Sequence, residues 1–276
     1  MTDGPLRGPV TAALTIAGSD SSGGAGVQAD LQTFAAHGIY GLSAVTAVTA
    51  QDASGVRACH PVPPAIVEAQ IAAALAGPGV AAVKTGMLAT AAIVDAVASA
   101  AARLPLPRLV VDPVLRSGHG DRLLDDDAVA LLVRALLPRA AVVTPNRAEA
   151  ERLAGIRIAS PEDARDAARR IHDLGPGTVV VTGGHLEEDA EHVVDVIFDG
   201  HDLTEPRVAR VPGPTVHGTG CTFAAAVTAG LASGLTPVEA AEAAQRFVAG
   251  AMRHAITAGP AGRALDPFWR VVQRVS

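Results

Sequence analysis

Short apolar, β-branched runs alternate with alanine-rich segments of helical periodicity along most of this chain, and that alternation restricts its fold more than any other feature. Ala12–Ala17, Leu42–Thr49, Val56–His60, Ala81–Thr85, Leu109–Asp112, Ala141–Thr144 and Thr178–Thr182 read as strands. Gly26–His37, Pro63–Leu75, Thr90–Ala102, Asp125–Leu137, Asn146–Leu153, Pro161–Leu174, Thr219–Ala232 and Pro237–Ile256 read as helices. In the first of these helices Val27, Leu31 and Phe34 recur at helical spacing. Val193–Phe198 and Arg207–Val211 read as a meander, because no helix-length segment separates them. Such alternation with short connections predicts an α/β fold: a central, mostly parallel sheet with helices on both faces. No linker rich in Pro, Gly or Ser and no internal repeat divides the chain, so a single domain over residues 1–276 is expected, with 1–10 as a flexible N-terminal tail.

Composition agrees. Apolar residues make up 49% and aromatics only 3%, so the core is built from Ala, Val, Leu and Ile. A formal charge of −6, with one Trp and one Tyr, speaks against a nucleic-acid partner, which needs a basic face and stacking aromatics. Cys59 and Cys221 supply neither a disulfide framework nor a zinc site. Met1–Val10 lacks a basic-then-apolar leader pattern, and the alanine-rich stretch Met87–Ala102 is short for a bilayer span and interrupted by Asp95. A cytoplasmic protein without a membrane partner is expected.

In a doubly wound sheet, ligands bind beyond the C-terminal ends of the strands. Polar residues gather in the corresponding loops. Ala17 to Gly26 reads AGSDSSGGAG, a Gly/Ser loop in which backbone amides can approach a ligand closely; it is neither a P-loop nor a dinucleotide fingerprint. Gly218-Thr219-Gly220-Cys221 opens an apolar helix, where a glycine-rich turn forms a phosphate cradle. A helix terminus is expected to lower the thiol pKa of Cys221 and make it a base toward a substrate hydroxyl. Asn146 with Glu149 three residues on is either a capping box or the holder of a hydrated magnesium ion, and spacing leaves both open. Asp112 directly follows an apolar strand, and the stretch to Asp121, with Gly118 and Gly120, has the make-up of a lid. Gln51-Asp52, Lys84-Thr85-Gly86-Met87 and Thr182-Gly183-Gly184-His185 follow three further strands.

Taken in order, TIAGSDSSGGAGVQADLQTF from Thr15, TAVTAQD from Thr46, KTGML from Lys84, DPVL from Asp112, TPNRAEAE from Thr144, GGHL from Gly183 and HGTGCT from His217 resemble the hydroxymethylpyrimidine/phosphomethylpyrimidine kinases of the ribokinase-like fold. The resemblance implies transfer of the ATP γ-phosphoryl group to a hydroxymethylpyrimidine and then to its monophosphate, for thiamine biosynthesis. It implies that Gly18, Asp30, Gln51, Met87 and Val114 surround the pyrimidine, with Asp30 facing the ring. Asp112, Asn146, Thr182, Gly184 and Thr219 would handle ATP and phosphate, and Asp112 and Glu149 would hold Mg2+. Gly218, Gly220 and Cys221 would form the anion hole and base, and a homodimer follows by family analogy. Two departures stand out: Thr182 replaces a family lysine, and the loop after Asp112 carries Arg116, Gly118, His119 and Gly120. Arg116 is the candidate to supply the missing charge. Pyridoxal kinases of the same fold, acting on similar flat nitrogenous rings, are the nearest rival, and a non-catalytic pyrimidine-binding protein is the other.

Overall fold

The structure, a computed structural model, describes residues 10–52, 55–115, 124–183, 191–213, 216–257 and 263–272. The expected N-terminal tail up to residue 9, the candidate lid with Arg116, and Gly184–His185 lie outside the described residues.

Eight strands form one sheet. In chain order the elements are β1 (Ala12–Ala17), α1 (Gly26–Ala36), β2 (Tyr40–Val45), β3 (Ala47–Asp52), β4 (Gly55–Pro61), α2 (Pro64–Leu75), β5 (Val80–Thr85), α3 (Ala91–Arg103), β6 (Leu109–Val111), α4 (Asp126–Ala135), β7 (Val142–Val143), α5 (Arg147–Ala154), α6 (Pro161–His172), β8 (Val179–Val181), β9 (His192–Val194), β10 (Val196–Phe198), β11 (Leu203–Thr204), β12 (Arg207–Ala209), α7 (Thr219–Ala232) and α8 (Pro237–Arg253). The sheet order is β11-β10-β8-β7-β6-β5-β1-β2. From β8 to β2 every pairing is parallel; β10 and β11 add an antiparallel edge.

The valine runs explain why the sheet is covered on both faces. Side chains alternate along a strand, so Val111, Val143 and Val181 enter one core with residues of α2 to α6. Val110, Val142 and Val180 enter the other, with residues of α1, α7 and α8. β1 is buried at all six positions, as a strand flanked by neighbours and covered above and below must be. Among the described residues, no helix is long and apolar enough to cross a membrane.

Two expected strands divide. Leu42–Thr49 splits at Thr46, whose amide donates to Ala17 O at 3.0 Å and whose hydroxyl donates to Met87 O at 2.6 Å. β2 stays in the sheet, whereas β3 leaves it and pairs with β4 as a two-stranded antiparallel ribbon. Val193–Phe198 splits at Asp195: β9 pairs with β12, and β10 joins the main sheet. A continuous apolar run carries no mark of the point where its hydrogen-bonding partner changes.

Candidate active site

The Gly/Ser loop after β1 folds back on itself and onto the β3 ribbon. Val27 N donates to Gly18 O at 3.0 Å. Gly26, at φ +59°, approaches so closely that a Cβ there would lie 2.4 Å from Gly18 O. Thr49 N donates to Ser19 Oγ at 3.1 Å, and Thr49 Oγ1 donates to Ser19 O at 2.7 Å. Ser21 Oγ donates to Gln51 O at 2.6 Å and accepts from Gln51 N at 2.8 Å. Gly18 N donates to Met87 O at 3.1 Å. The Met87 side chain lies against Gly18, where a Cβ would come within 2.3 Å of its methyl. Gly18, Gln51 and Met87 are thus drawn to one wall. Val114 is half-buried beyond β6, its amide on Asp112 O at 2.9 Å.

The start of α7 locks onto the same loop. Gly218, at φ +85°, allows no side chain: a Cβ would lie 1.7 Å from Gly24 O. No side chain caps this helix, so its first amides, around Thr219, Gly220 and Cys221, are left for other acceptors.

Lys84 lies beneath these loops with no solvent exposure. Its Nζ donates to Asp30 Oδ1 and Oδ2 at 2.9 and 3.0 Å and sits 3.8 Å from Asp112 Oδ2. Thr15 Oγ1 donates to Asp30 Oδ2 at 2.5 Å. Asp30 is therefore wholly buried and turned into an ion pair, not toward a ring as expected; a carboxylate on the inner face of α1 meets the one buried ammonium available to it. Burial opposes the charge on Lys84, yet Asp30, Cys221 and Asp112 together hold its pKa above the ordinary value. Burial raises Asp30 and Asp112, with Lys84 pulling both down. Burial, and then the Asp112 charge, also raise Glu149.

The expected lowering of the Cys221 thiol does not occur. Burial pushes it up to about 12, with Asp112 and Asp30 adding to the rise and Lys84 and the Gly26 amide opposing it. Loss of water outweighs the helix terminus.

Toward the antiparallel edge, Asn146 and Glu149 form a complete capping box at the start of α5: Asn146 Oδ1 accepts from Glu149 N at 3.1 Å, and Glu149 Oε2 accepts from Asn146 N at 2.9 Å. Asn146 also makes a β-bridge to Thr182, whose amide donates to Pro145 O at 3.0 Å. Gly183 N donates to Asp195 Oδ1 at 2.7 Å. A Cβ on Gly183 would fall 1.5 Å from Val194 O. Three buried oxygens, Thr85 Oγ1, Asp112 Oδ2 and Thr144 Oγ1, lack hydrogen-bond partners, and they stand at the ends of the adjacent strands β5, β6 and β7.

Four side chains that shape this edge have roles that no local motif marks: Thr15, Asp20, Asp195 and Lys84 as an ion-pair partner. Only Lys84 left a signal, as the single lysine of the chain set at the end of an apolar strand.

Comparison with known proteins agrees with this geometry. A hydroxymethylpyrimidine/phosphomethylpyrimidine kinase from Synechococcus elongatus is 46% identical over 260 residues, covering 94% of this chain and 98% of that protein. The ADP complex of Bacillus subtilis pyridoxal kinase superposes with a TM-score of 0.89 at 37% identity, covering 95% of this chain and 99% of the other. A phosphomethylpyrimidine kinase from Clostridium difficile does so with a TM-score of 0.76 at 37% identity, covering 86% and 96%. The fold is ribokinase-like, as the motif order implied. With the phosphomethylpyrimidine kinase family model matching residues 20–266, this chain belongs to that family of kinases.

Proposed function

We propose that this chain transfers the γ-phosphoryl group of ATP to the hydroxymethyl oxygen of 4-amino-5-hydroxymethyl-2-methylpyrimidine, and then a second one to the resulting monophosphate, yielding the pyrophosphate used to make thiamine. The observation that carries this is the buried Lys84, held by Asp30 and Asp112 below the glycine-lined helix start that bears Cys221. In such a transfer the acceptor oxygen bonds to phosphorus, the bond to the ADP oxygen breaks, and positioning and charge neutralisation do most of the catalysis. The uncapped amides of α7 receive phosphate oxygens, and Lys84 supplies a fixed positive charge that Thr182 cannot. Cys221 enters protonated at the sulfur. The acceptor hydroxyl becomes acidic only as it bonds to phosphorus; its proton then passes late, by relay, the sulfur taking the hydroxyl proton as the thiol proton moves to an oxygen of the transferred phosphoryl group, with the Lys84 charge steadying the sulfur.

A divalent cation fits beside Asp112. Its Oδ2 is buried without a hydrogen-bond partner, and Asp112 and Glu149 lie close enough for the charge on one to raise the pKa of the other. Magnesium binds one or two carboxylates and otherwise waters and phosphates, so it needs no larger cluster, and none is present among the described residues. Bound there with ATP, Mg2+ would neutralise phosphate charge. Glu149 already gives both oxygens to backbone amides, Asn146 N at 2.9 Å and Leu115 N at 3.5 Å, so its role toward the ion is to set the local charge and hold the cap.

Gln51 and Met87 line the ring pocket beside Gly18. Pyridoxal is a second acceptor to consider because the fold matches a pyridoxal kinase so closely. Magnesium-dependent ADP release, measured side by side with the pyrimidine alcohol, its monophosphate and pyridoxal, tests the proposal. The pyrimidine should turn over fastest, its monophosphate more slowly; turnover with pyridoxal alone overturns it. The homodimer and the cytoplasmic setting implied by the family resemblance belong to the same proposal, and light scattering of the purified protein tests the dimer.

A further inference from the structure

Gln51 is clamped at both its backbone and its side chain. Ser21 bonds to its N–H and C=O, as described above. Its side-chain nitrogen lies 3.0 Å from His217 Nε2, and that same ring nitrogen lies 3.1 Å from Asp20 Oδ2. One imidazole nitrogen either donates or accepts a hydrogen bond; it does not do both.

Asp20 decides which. Its carboxylate is 1% exposed, accepts from Ser22 N and Ser22 Oγ on Oδ1, both at 2.8 Å, and accepts from Ala25 N at 2.8 Å on Oδ2. Burial pushes its pKa up, but the hydrogen bonds from His217 and Ser22 hold it below the ordinary value. An ionised carboxylate only accepts, so His217 Nε2 carries the hydrogen. A nitrogen committed to donating cannot accept from the NH2 group of Gln51. The Gln51 amide is therefore turned over, its carbonyl oxygen facing the imidazole, an exchange of two groups of nearly equal size.

Resting on the pyrimidine reading above, we infer that Asp20 and His217 are a positioning pair that locks the Gln51 amide with its carbonyl on the imidazole and its NH2 toward the substrate ring, selecting an aminopyrimidine edge over an oxopyrimidine edge. A carbonyl oxygen has two lone pairs. One accepts from the His217 Nε2–H, which Gln51 and Asp20 Oδ2 share as a three-centre bond at 3.0 and 3.1 Å, the other from the exocyclic amino group, while the NH2 donates to the adjacent ring nitrogen. An oxo substituent at the same carbon reverses the ring's pattern, placing an acceptor opposite the Gln51 oxygen and an N–H opposite its NH2. An unrestrained glutamine would flip to suit. Here a flip sets NH2 against the His217 N–H, so the wrong ring meets a mispaired edge.

The experiment compares the amino substrate with its analogue carrying an oxo group in place of the amino group, in the wild type, His217→Leu and Asp20→Asn. Wild-type kcat/KM should favour the amino ring by roughly 10- to 100-fold, the range for a well-made bidentate contact. Both variants should reduce that ratio to within a few-fold, because the amide is then free to turn. Where a variant binds without turning over, the ratio of dissociation constants by calorimetry gives the same readout, and the two variants back each other should one fail to fold. A loss of activity that leaves the ratio at its wild-type value overturns the inference, since a purely structural role weakens both rings equally. Wild-type protein that uses both rings alike overturns it too. Wild-type protein that turns over neither pyrimidine, but phosphorylates pyridoxal, fails the functional reading instead.

Discussion

The acceptor side and the phosphate side of this edge are built in opposite ways. Around Gly18, Gln51 and His217, described polar groups are paired with one another: the Ser19, Ser21 and Asp20 loop, the β3 ribbon and the start of α7 exchange hydrogen bonds before any ligand arrives. At the ends of β5, β6 and β7, by contrast, Thr85, Asp112 and Thr144 keep buried oxygens without hydrogen-bond partners, Asp112 having only the Lys84 charge 3.8 Å away, and Asp112 and Glu149 are neighbouring carboxylates. Leaving such groups unmade costs on the order of 1–3 kcal/mol each. A rigid, satisfied wall suits the discrimination of one ring edge from another. An acceptor-rich floor with hydrogen bonds left unmade suits a cation and phosphates that arrive together and leave together.

Lys84 joins the two sides, and its loss should have the largest effect. Lys84→Met leaves Asp30 and Asp112 buried without a cation, which should cost about 3–5 kcal/mol in chemical denaturation. Adding Asp30→Asn should recover part of that stability without recovering turnover. Recovery of both would show that Lys84 is structural alone.

Cys221→Ala should lower kcat by about 10²–10⁴-fold while shifting the pyrimidine KM much less. The wild type should show no tenfold rise in kcat per unit between pH 7 and pH 9, because the thiol, pushed up to about 12, stays protonated and transfers late. A slope of one over that range would mean that a preformed thiolate is required.

Asp195 tests whether the Gly183 loop tolerates a charge beneath it. Burial raises its pKa to about 6, against the Gly183 amide and Gln245, which lower it. A folded-state value above the unfolded one means that the protonated form is favoured. Its contribution to stability is therefore complete below about pH 4 and is lost as pH rises through 6. Relative to Asp195→Asn, the wild type should lose about 1–3 kcal/mol between those limits; parallel stability curves would remove Asp195 from the balance. The smallest effect is expected of Glu149→Gln, which keeps most of the cap. Thermal stability should change by about 1 kcal/mol or less, and the magnesium concentration for half-maximal rate should rise on the order of tenfold. A large stability loss with unchanged magnesium dependence would make Glu149 a capping residue only.

The strand-end loops and the start of α7 were legible in the chain because glycines, prolines and single polar residues interrupt periodic apolar runs. The Asn146–Glu149 capping box was legible too, since both partners lie within one helical turn. The departure of β3 at Thr46 was not, because Leu42–Thr49 keeps its apolar pattern through the point where the partner strand changes. Nor was the Asp20–His217 contact, whose members are 197 residues apart and meet only when α7 closes over the first loop.

By itself, then, the order of residues determined which faces of the strands and helices are apolar, and hence a mostly parallel sheet with two cores. It also determined which polar types stand at the strand ends. Tertiary structure alone decided what those groups are. Asp30 became half of a buried ion pair, and burial pushed the Cys221 thiol up against a helix start that favours the thiolate. The physical reason is distance and water. Periodicity and capping act within a few residues and survive any fold that keeps the local chain, whereas desolvation and charge pairing depend on which distant groups exclude solvent together, and that is set only when the sheet is assembled.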